Sequence, residues 1–173
     1  VLIKAFAKDS LYLHADSIFS KRLAINPQKP DSATYQIVKA YHKTRFYKSD
    51  VQGVCDSLVY HSLDSVIHLF VKPVIWSDEN QITGNSIQLR LVNNVIEHIY
   101  IDANAFLIAQ DNAIQFNQMK GKSLQGYIKN NQLYKVDIMN NGETVYFLRD
   151  SDELVGINKA ICDSITAYID KGK

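Results

Sequence analysis

An eighteen-residue phrase occurs twice in this sequence without a gap. GNSIQLRLVNNVIEHIYI begins at Gly84, and GKSLQGYIKNNQLYKVDI begins at Gly121. Weaker copies open at Ala15, Cys55 and Cys162, so five openings follow one another along the chain. A repeat of this length is one supersecondary unit that cannot bury its apolar side alone, whereas stacked copies bury a continuous core. The repeat therefore limits the chain to architectures in which similar units lie on top of one another.

Each copy predicts a strand, a turn and a second strand. In residues 86–92 aliphatic side chains alternate with polar ones, which places them on opposite faces of a strand. Asn93-Asn94 and Asn130-Asn131 then follow, and Asn tolerates the positive φ that a tight reversal requires. Asp64-Ser65 and Lys171-Gly172 take the same place in two other copies.

The returning strand has apolar residues at an odd spacing of three. Two residues three apart on a regular strand face opposite sides, so either this strand is buried on both faces or a bulge near the turn resets its parity. We favour the bulge because the spacing recurs at the same place. The pairs are Ile67/Phe70, Ile96/Ile99 and Leu133/Val136.

A second hairpin-like arm lies between the phrases, for example PVIWSDENQITG from Pro73. We therefore predict an all-β fold: an elongated β-jelly-roll, or folded-sheet roll, built from stacked hairpin repeats. Residues 1–173 are predicted to form a single domain and to be a segment of a longer chain. Val1 is not an initiator methionine, so the chain was either processed or cut from a longer one. The copy at Cys162 has no returning strand in this sequence, so its strand is expected to be an open sheet edge.

The charge balance argues against a nucleic-acid partner, and the hydropathy argues against a membrane-spanning helix. Lys and Arg number 19 and Asp and Glu number 18, and this balance argues against a nucleic-acid surface. No apolar run approaches the roughly 20 residues of a membrane-spanning helix, so no transmembrane segment is expected.

The residues with reactive side chains show no catalytic pattern. Asp16, Asp56 and Asp163 share one repeat slot, as a carboxylate pair for glycoside hydrolysis would require. Asn85 and Lys122 fill the same slot in other copies, so we expect a solvated polar position at a strand end. The five histidines lack metal-ligand spacing, and no nucleotide or nucleophile motif occurs. We predict no catalytic residue, no metal site and no cofactor, and hence a protein that is not an enzyme.

Cys55 and Cys162 occupy the same repeat slot. If the copies stack in chain order, three rungs at about 4.8 Å each hold the two residues more than about 14 Å apart, beyond the reach of a disulfide. We therefore predict two free, buried thiols.

Two surface features have open interpretations. Trp76 and Phe106 occupy matching places on the second arm, and burial in the core is favoured over the rim of an entrance. Basic residues cluster between positions 39 and 48, where they either meet phosphates or form a solvated strand face; they are Lys39, Lys43, Arg45 and Lys48.

The segments AYHKTRFYKSDVQGVCDSLVY, PVIWSDENQITGNSIQL, FNQMKGKSLQGYI and GINKAICDSI resemble the OstA-like lipopolysaccharide transport proteins of Bacteroidetes, within the LptA/OstA family. The resemblance extends from about Leu13 to Ile169. It implies a periplasmic β-jelly-roll whose interior takes up the acyl chains of lipid A. It also implies head-to-tail homo- or hetero-oligomers with other OstA-like domains.

On this interpretation the inward aliphatic stripe binds lipid. Binding would remove the methylenes of the acyl chains from water. The alternative is a purely structural or protein-interaction module with a packed core and no lipid ligand, and a carbohydrate enzyme built on stacked strands is a third reading. The predicted lipid-binding residues are Leu58, Tyr60, Leu89, Leu91, Ile99, Ile101, Leu124, Gly126, Ile128, Val136, Ile138 and Ile165.

Overall fold

The structure is a computed structural model that describes residues 2–5, 10–29, 33–77, 79–151 and 153–169. Within these residues every regular element is a β-strand, which confirms the all-β prediction; the expected turn at Lys171-Gly172 lies outside them. The strands are β1 (Leu2–Ala5), β2 (Ser10–His14), β3 (Ser17–Ala24), β4 (Thr34–Lys48), β5 (Val51–His61), β6 (Val66–Phe70), β7 (Val74–Ser77), β8 (Asn80–Thr83), β9 (Ser86–Val92), β10 (Val95–Gln110), β11 (Phe116–Lys129), β12 (Gln132–Asp150) and β13 (Glu153–Tyr168).

The strands form one antiparallel sheet whose strand order follows the order of the chain. The order is β1-β2-β4-β5-β6-β9-β10-β11-β12-β13, and β3, β7 and β8 complete it beside β4, β5 and β10. The hairpin copies therefore stack in chain order, as the repeat predicts. Leu89 and Leu124 are buried, and Ile165 packs half-buried against the same core.

The sheet is folded along its length. At the fold line, pairs of consecutive residues adopt positive φ. Within the long strands the pairing register shifts beside these pairs. Two left-handed residues act as a bulge that turns a strand sharply, which is how strands pass from one sheet layer to another. We call this line the crease; its pairs are His42-Lys43, Val71-Lys72, Ala103-Asn104 and Asn140-Asn141.

The crease divides the sheet into two arms. Arm A carries the repeated phrases, and arm B carries the hairpins between them. Because the chain crosses the crease after every hairpin, it alternates between the arms. Arm A comprises residues 17–24, 34–41, 57–70, 86–102, 123–139 and 164–168, and arm B comprises residues 2–5, 10–14, 44–55, 74–77, 79–83, 105–121, 142–151 and 153–162.

The first residue of each repeated phrase is small because it lies against core side chains at the crease. A Cβ atom at Gly84 would collide with the Cγ2 methyl of Ile101, and one at Gly121 would collide with the same methyl of Ile138. Ile101 and Ile138 are fully buried. The repeat therefore begins with Gly, Ala or Cys where a larger side chain would displace the core.

The polar slot of the repeat lies at the crease and not at a strand end, which corrects the expectation from sequence. Asp56 faces the left-handed pair of the neighbouring strand and accepts a hydrogen bond from His42 Nδ1 at 3.3 Å. Asn104 Nδ2 donates to Asn85 Oδ1 at 3.1 Å, and Lys43 Nζ lies 3.3 Å from Asp16 Oδ2. A polar side chain suits this slot because each bulge exposes backbone and side chains to solvent.

The turns and bulges of arm A follow the sequence pattern in part. Asn93-Asn94 and Asn130-Asn131 form the predicted two-residue turns with positive φ at both residues. The register then shifts between Ile96 and His98, and again beside Tyr127 and Ile128, which confirms the bulge in two copies.

In the copy at Cys55 the bulge prediction is wrong. β5 and β6 pair without a register shift, so the inward residues of β6 are Ile67 and Leu69, two apart. Leu69 is fully buried, whereas Phe70 is exposed. The turn of this copy spans residues 62–65, with Asp64 Oδ1 accepting from the Val66 N–H, and its extra residues remove the need for a bulge.

The last described strand, β13, is an open edge of the sheet, because it pairs with β12 alone. This position overturns one expectation about the thiols. Both cysteines are free, but Cys162 is exposed and Cys55 alone is buried. Five strands lie between them, so about 29 Å of sheet separates them. The repeat slot is shared, but on β13 no further strand covers it.

Candidate functional site

The two arms face each other and enclose a cavity of about 450 Å³. Every arm A strand from β3 to β11 contributes lining residues, and β2, β4, β5 and β7 contribute them from arm B. Apolar side chains form the deep walls: Val38, Leu58, Ile75 and Leu89 are at most 6% exposed. The fold thus creates an apolar space between arms that are continuous at the crease and separate at their outer ends.

Six of the twelve residues predicted to bind lipid line this cavity. They are Leu58, Tyr60, Leu89, Leu91, Ile99 and Ile128. Their strands β5, β9, β10 and β11 place them on the inward face by period-two alternation.

The other six lie outside the cavity lining. Ile101, Leu124, Val136 and Ile138 are at most 1% exposed and pack beside the crease. Gly126 lies under Leu133, whose Cδ1 atom would be 3.0 Å from an added Cβ. The missing side chain of Gly126 therefore makes room for Leu133. Ile165 is half-buried near the open edge.

Sequence reasoning missed part of the wall. Leu11, Leu13, Val38, Phe46 and Ile75 also line the cavity. The signal was present, because Val38, Ala40, Thr44 and Phe46 show the same alternation on either side of the crease. These residues lie outside the clear copies of the phrase, where a two-residue bulge interrupts the parity.

Polar groups stand at the outer ends of the arms, where the strands turn. We call these ends the tips: residues 49–50 and 79 in arm B, and residues 62–65, 93–94 and 130–131 in arm A. Lys48 Nζ donates to both carboxylate oxygens of Asp50 at 2.6 Å, and Ser77 Oγ donates to the Asp50 carbonyl at 3.0 Å. Asn131 Nδ2 donates to Asp50 Oδ2 at 3.1 Å from the opposite arm. The cavity mouth is therefore polar and partly bridged.

The basic cluster seen in the sequence is divided between faces. Lys48 lines the cavity, whereas Lys39 is exposed between the buried Val38 and Ala40 and thus points outward. Lys43 belongs to the crease. One strand cannot present all four cations to a single ligand, because successive side chains alternate and the crease turns the strand.

Trp76 and Phe106 are half-buried on the outer face of arm B, so the expected burial in the core is wrong. Their neighbours Ile75 and Leu107 are the buried inward residues. Trp76 Nε1 donates to Gln81 Oε1 at 2.8 Å, which fixes the ring on this outer surface.

The pKa values of Cys55 and Asp137 are displaced, each for a clear cause. Burial raises the pKa of the Cys55 thiol to about 12. The Lys135 ammonium, which donates to Asp137 at 2.8 Å, and the Thr166 hydroxyl hold the pKa of the Asp137 carboxyl below its usual range. Neither group lines the cavity. Among the described residues no cluster of three or more His, Cys, Asp or Glu side chains is arranged to hold a metal ion.

Comparison with known proteins is informative at the level of solved structures. No protein-family model matches the chain, and no curated protein sequence matches it either. Among solved structures it is similar to LptH from Pseudomonas aeruginosa, described as the LptA-homologous periplasmic component of the conserved lipopolysaccharide transport device. The TM-score is 0.53 at 9% identity, over 88% of this chain and 94% of that one.

The chain has the LptA-like fold. The resemblance to the LptA/OstA family and the predicted folded-sheet roll are thereby confirmed at the level of architecture. The similar structure belongs to a transport component. Within the described residues, no helix is long and apolar enough to cross a membrane. In the LptA-like fold of this chain, the candidate site is the apolar space between the arms.

Proposed function

We propose that this chain is a non-enzymatic, periplasmic lipopolysaccharide-binding protein that shelters lipid A acyl chains between its two arms. The observation that carries the proposal is the open apolar cavity of about 450 Å³ with polar tips. An amphiphile matches this arrangement, because its methylenes gain about 0.8 kcal/mol each on leaving water while its head group stays at the polar mouth. The similarity to LptH supports the same class of ligand.

End-to-end assembly is the second part of the proposal. β13 presents an unpaired edge along residues 153–168, and edges of this kind accept a strand from another chain. Val155, Ile157 and Ile161 on that strand are about 60% exposed. A head-to-tail contact through this edge would continue from one domain to the next, either in homo-oligomers or with other domains of the same fold.

A structural module with a packed core is the competing function. The dense packing of Ile101, Leu124, Val136 and Ile138 beside the crease favours it, because these predicted lipid-binding residues leave no space between them. The two functions differ in what they require of the cavity walls. A structural module needs no ligand there, whereas a lipid carrier loses its ligand when the walls become charged.

Native mass spectrometry after incubation with lipopolysaccharide tests the proposal, since it reads ligand and oligomer together. Leu91→Asp places a carboxylate on the half-buried wall and is expected to abolish the bound mass. Leu148→Asp is the matched control: Leu148 is 42% exposed in arm B and lies outside the lining, so binding is expected to persist. Equal binding by a folded Leu91→Asp variant contradicts lipid uptake in the cavity.

A further inference from the structure

Aromatic side chains form a row on the outer face of arm B, on the side of the sheet away from the cavity. The row consists of residues that pair in turn across β2, β4, β5 and β7: Tyr12, Tyr47, Gln52 and Trp76. Partners in register on adjacent strands point to the same face of a sheet. Ile75 lines the cavity on the inner face, so its neighbour Trp76 points outward, and the whole row points outward with it.

The ring faces of this row are open to water and held in position. Tyr12 and Tyr47 are 45% and 54% exposed, and their ring centroids lie 6.5 Å apart. The Trp76 Nε1–H donates to Gln81 Oε1 at 2.8 Å, which fixes the indole about 9.6 Å, or two strands, from the strand of Tyr47. Cross-strand pairing accounts for Tyr12 beside Tyr47. It does not account for Trp76, which the strand of Gln52 separates from both tyrosines.

Hydrogen-bonding side chains are interleaved with the rings. Gln52 is exposed between Tyr47 and Trp76, and the exposed His14 and Arg45 complete a groove on the side of the crease. Within the described part of the chain, neither the Gln52 amide nor the Arg45 guanidinium has a hydrogen bond or ion pair to another side chain. No described residue that lines this groove carries a carboxylate. The donors are therefore available to a ligand with oxygen acceptors, and the guanidinium disfavours a cationic ligand.

We call this groove the outer groove, and we propose that it binds an oligosaccharide, with sugar rings stacked on Tyr47 and Trp76 and hydroxyl groups bonded to Gln52 and Arg45. A pyranose ring has a face of C–H groups and a rim of hydroxyls, so it fits the aromatic faces and the interleaved donors together. The inference goes beyond the proposed function and does not depend on it, because the outer groove and the cavity lie on opposite faces of arm B.

Peptide ligands fit the outer groove less well. A peptide cannot add as a strand there, because β4 and β5 are each paired on both sides. A proline-rich peptide docks in grooves lined by aromatic rings. In this groove, however, the place between Tyr47 and Trp76 where a proline ring would insert belongs to Gln52.

The fluorescence of Trp76 tests the proposal, because Trp76 is the only tryptophan in the sequence. The whole chain is titrated with lipid-free sugars: uncharged malto- and chito-oligosaccharides, and the phosphorylated core oligosaccharide released from lipopolysaccharide by mild acid. We expect a saturable change in Trp76 emission in the millimolar range, with saturation transfer from the protein to the sugar C–H groups by NMR. The absence of a saturable change with every one of these sugars overturns the proposal.

Removing one ring locates the site. Tyr47→Ala is expected to weaken oligosaccharide binding about tenfold. Tyr100→Ala is the matched control, because Tyr100 is 37% exposed on the outer face of arm A and also pairs with a glutamine, Gln88 on one side and Gln125 on the other. Its binding should equal that of the wild type, and circular dichroism shows whether both variants are folded. Unchanged binding by folded Tyr47→Ala protein places the sugar elsewhere and refutes the outer groove.

Removing the amide separates a saccharide from a peptide. Gln52→Leu is expected to weaken oligosaccharide binding about fivefold, the effect of losing one hydrogen bond. Gln88→Leu, on the outer face of arm A, should leave binding unchanged. If a proline-rich peptide changes Trp76 emission at lower concentration than every sugar, and Gln52→Leu strengthens its binding, the outer groove is a peptide site and the proposal is wrong.

The charge of the groove identifies the source of the saccharide. Tighter binding of the phosphorylated core oligosaccharide, with the difference lost in Arg45→Gln, assigns the outer groove to the sugar of lipopolysaccharide. Equal affinity for the uncharged oligosaccharides assigns it to an uncharged glycan. The outer groove is retained in both cases.

The two proposals fail in distinguishable ways. Leu91→Asp, in the cavity wall, is expected to leave oligosaccharide binding unchanged. Oligosaccharide binding by a wild-type chain that takes up no lipopolysaccharide removes the proposed function and keeps the outer groove. Lipopolysaccharide binding without binding of any lipid-free oligosaccharide does the reverse.

Discussion

Asn131 Nδ2 lies 3.1 Å from Asp50 Oδ2, although the two residues are 81 positions apart and their strands are not neighbours in the sheet. Asp50 belongs to a tip of arm B and Asn131 to a tip of arm A. Their hydrogen bond joins the outer ends of the arms, opposite the crease. It therefore spans the mouth of the cavity.

Weakening this contact should open the mouth with little effect on stability. Asn131→Asp keeps a residue that tolerates positive φ but places a second carboxylate against Asp50. Because the pair is exposed, we expect a loss in the free energy of unfolding below about 1 kcal/mol. Stopped-flow binding of a fluorescent fatty acid should become faster.

Asn94→Asp is the control for this change. Asn94 has the same place in the equivalent turn, with φ of 63° against 61° for Asn131, and it also lines the cavity. Its binding rate should stay near that of the wild type. Equal acceleration by both variants would mean that added charge, and not the bridge, controls entry.

The crease should be sensitive to one methyl group. Gly121→Ala directs its Cβ into the buried Ile138 side chain, and overpacking of this kind lowers the free energy of unfolding by about 1–3 kcal/mol. Gly156→Ala is the matched change, because nothing lies within 4 Å of its added Cβ. Urea denaturation should show a destabilised first variant and a second that is unchanged or slightly stabilised. A stable Gly121→Ala protein would indicate that the crease is loose.

The two thiols should differ in reactivity. The raised pKa of Cys55, about 12, keeps this buried thiol protonated at pH 8, whereas Cys162 is exposed. Alkylation of the native protein should modify one thiol, and alkylation after denaturation should modify two. Mass spectrometry of the peptides identifies the modified residue. Rapid modification of Cys55 in the native state would contradict its burial.

Ionisation of the Cys55 thiol should also lower the free energy of unfolding at high pH. The pKa of the folded state is raised, so the unfolded thiol ionises first as pH rises above about 9.0. Between that pH and about 12 the unfolded state is favoured by at most about 1.4 kcal/mol per pH unit. Cys55→Ala should show a shallower alkaline decline in the free energy of unfolding. Parallel profiles for the two proteins would refute this contribution.

Asp137 should contribute stability that disappears in acid. Its lowered pKa reflects the hydrogen bonds from Lys135 and Thr166, and Thr166 lies on the edge strand β13. The stability that this lowered pKa contributes is fully present at pH values above the ordinary pKa, near 3.8. It is lost as the pH falls through the lower pKa of the folded state. Asp137→Asn should therefore be less stable than the wild type at pH 7 and similar to it at pH 2. Asp102→Asn, at an exposed position of β10, serves as the control.

The repeat determined the hairpins and their order. The alternation in residues 86–92 and the Asn pairs at 93–94 and 130–131 are local properties, since side-chain parity and positive φ are decided within a few residues. Stacking in chain order follows because adjacent copies share one apolar face. The resemblance of the quoted segments to the LptA/OstA family agreed with the architecture that the structure shows.

The crease and the cavity were decided by tertiary structure. No single copy shows that His42-Lys43 or Ala103-Asn104 turns the strand, because the left-handed pairs of the crease share no common sequence. Whether Leu89 faces a space and Ile138 faces a neighbour depends on how far apart the arms stand at each level. The exposure of Cys162 depends on which strand is last, and the contact of Asp50 with Asn131 depends on two arms folding over one another. These are distances between segments remote in sequence, and only the folded chain fixes them.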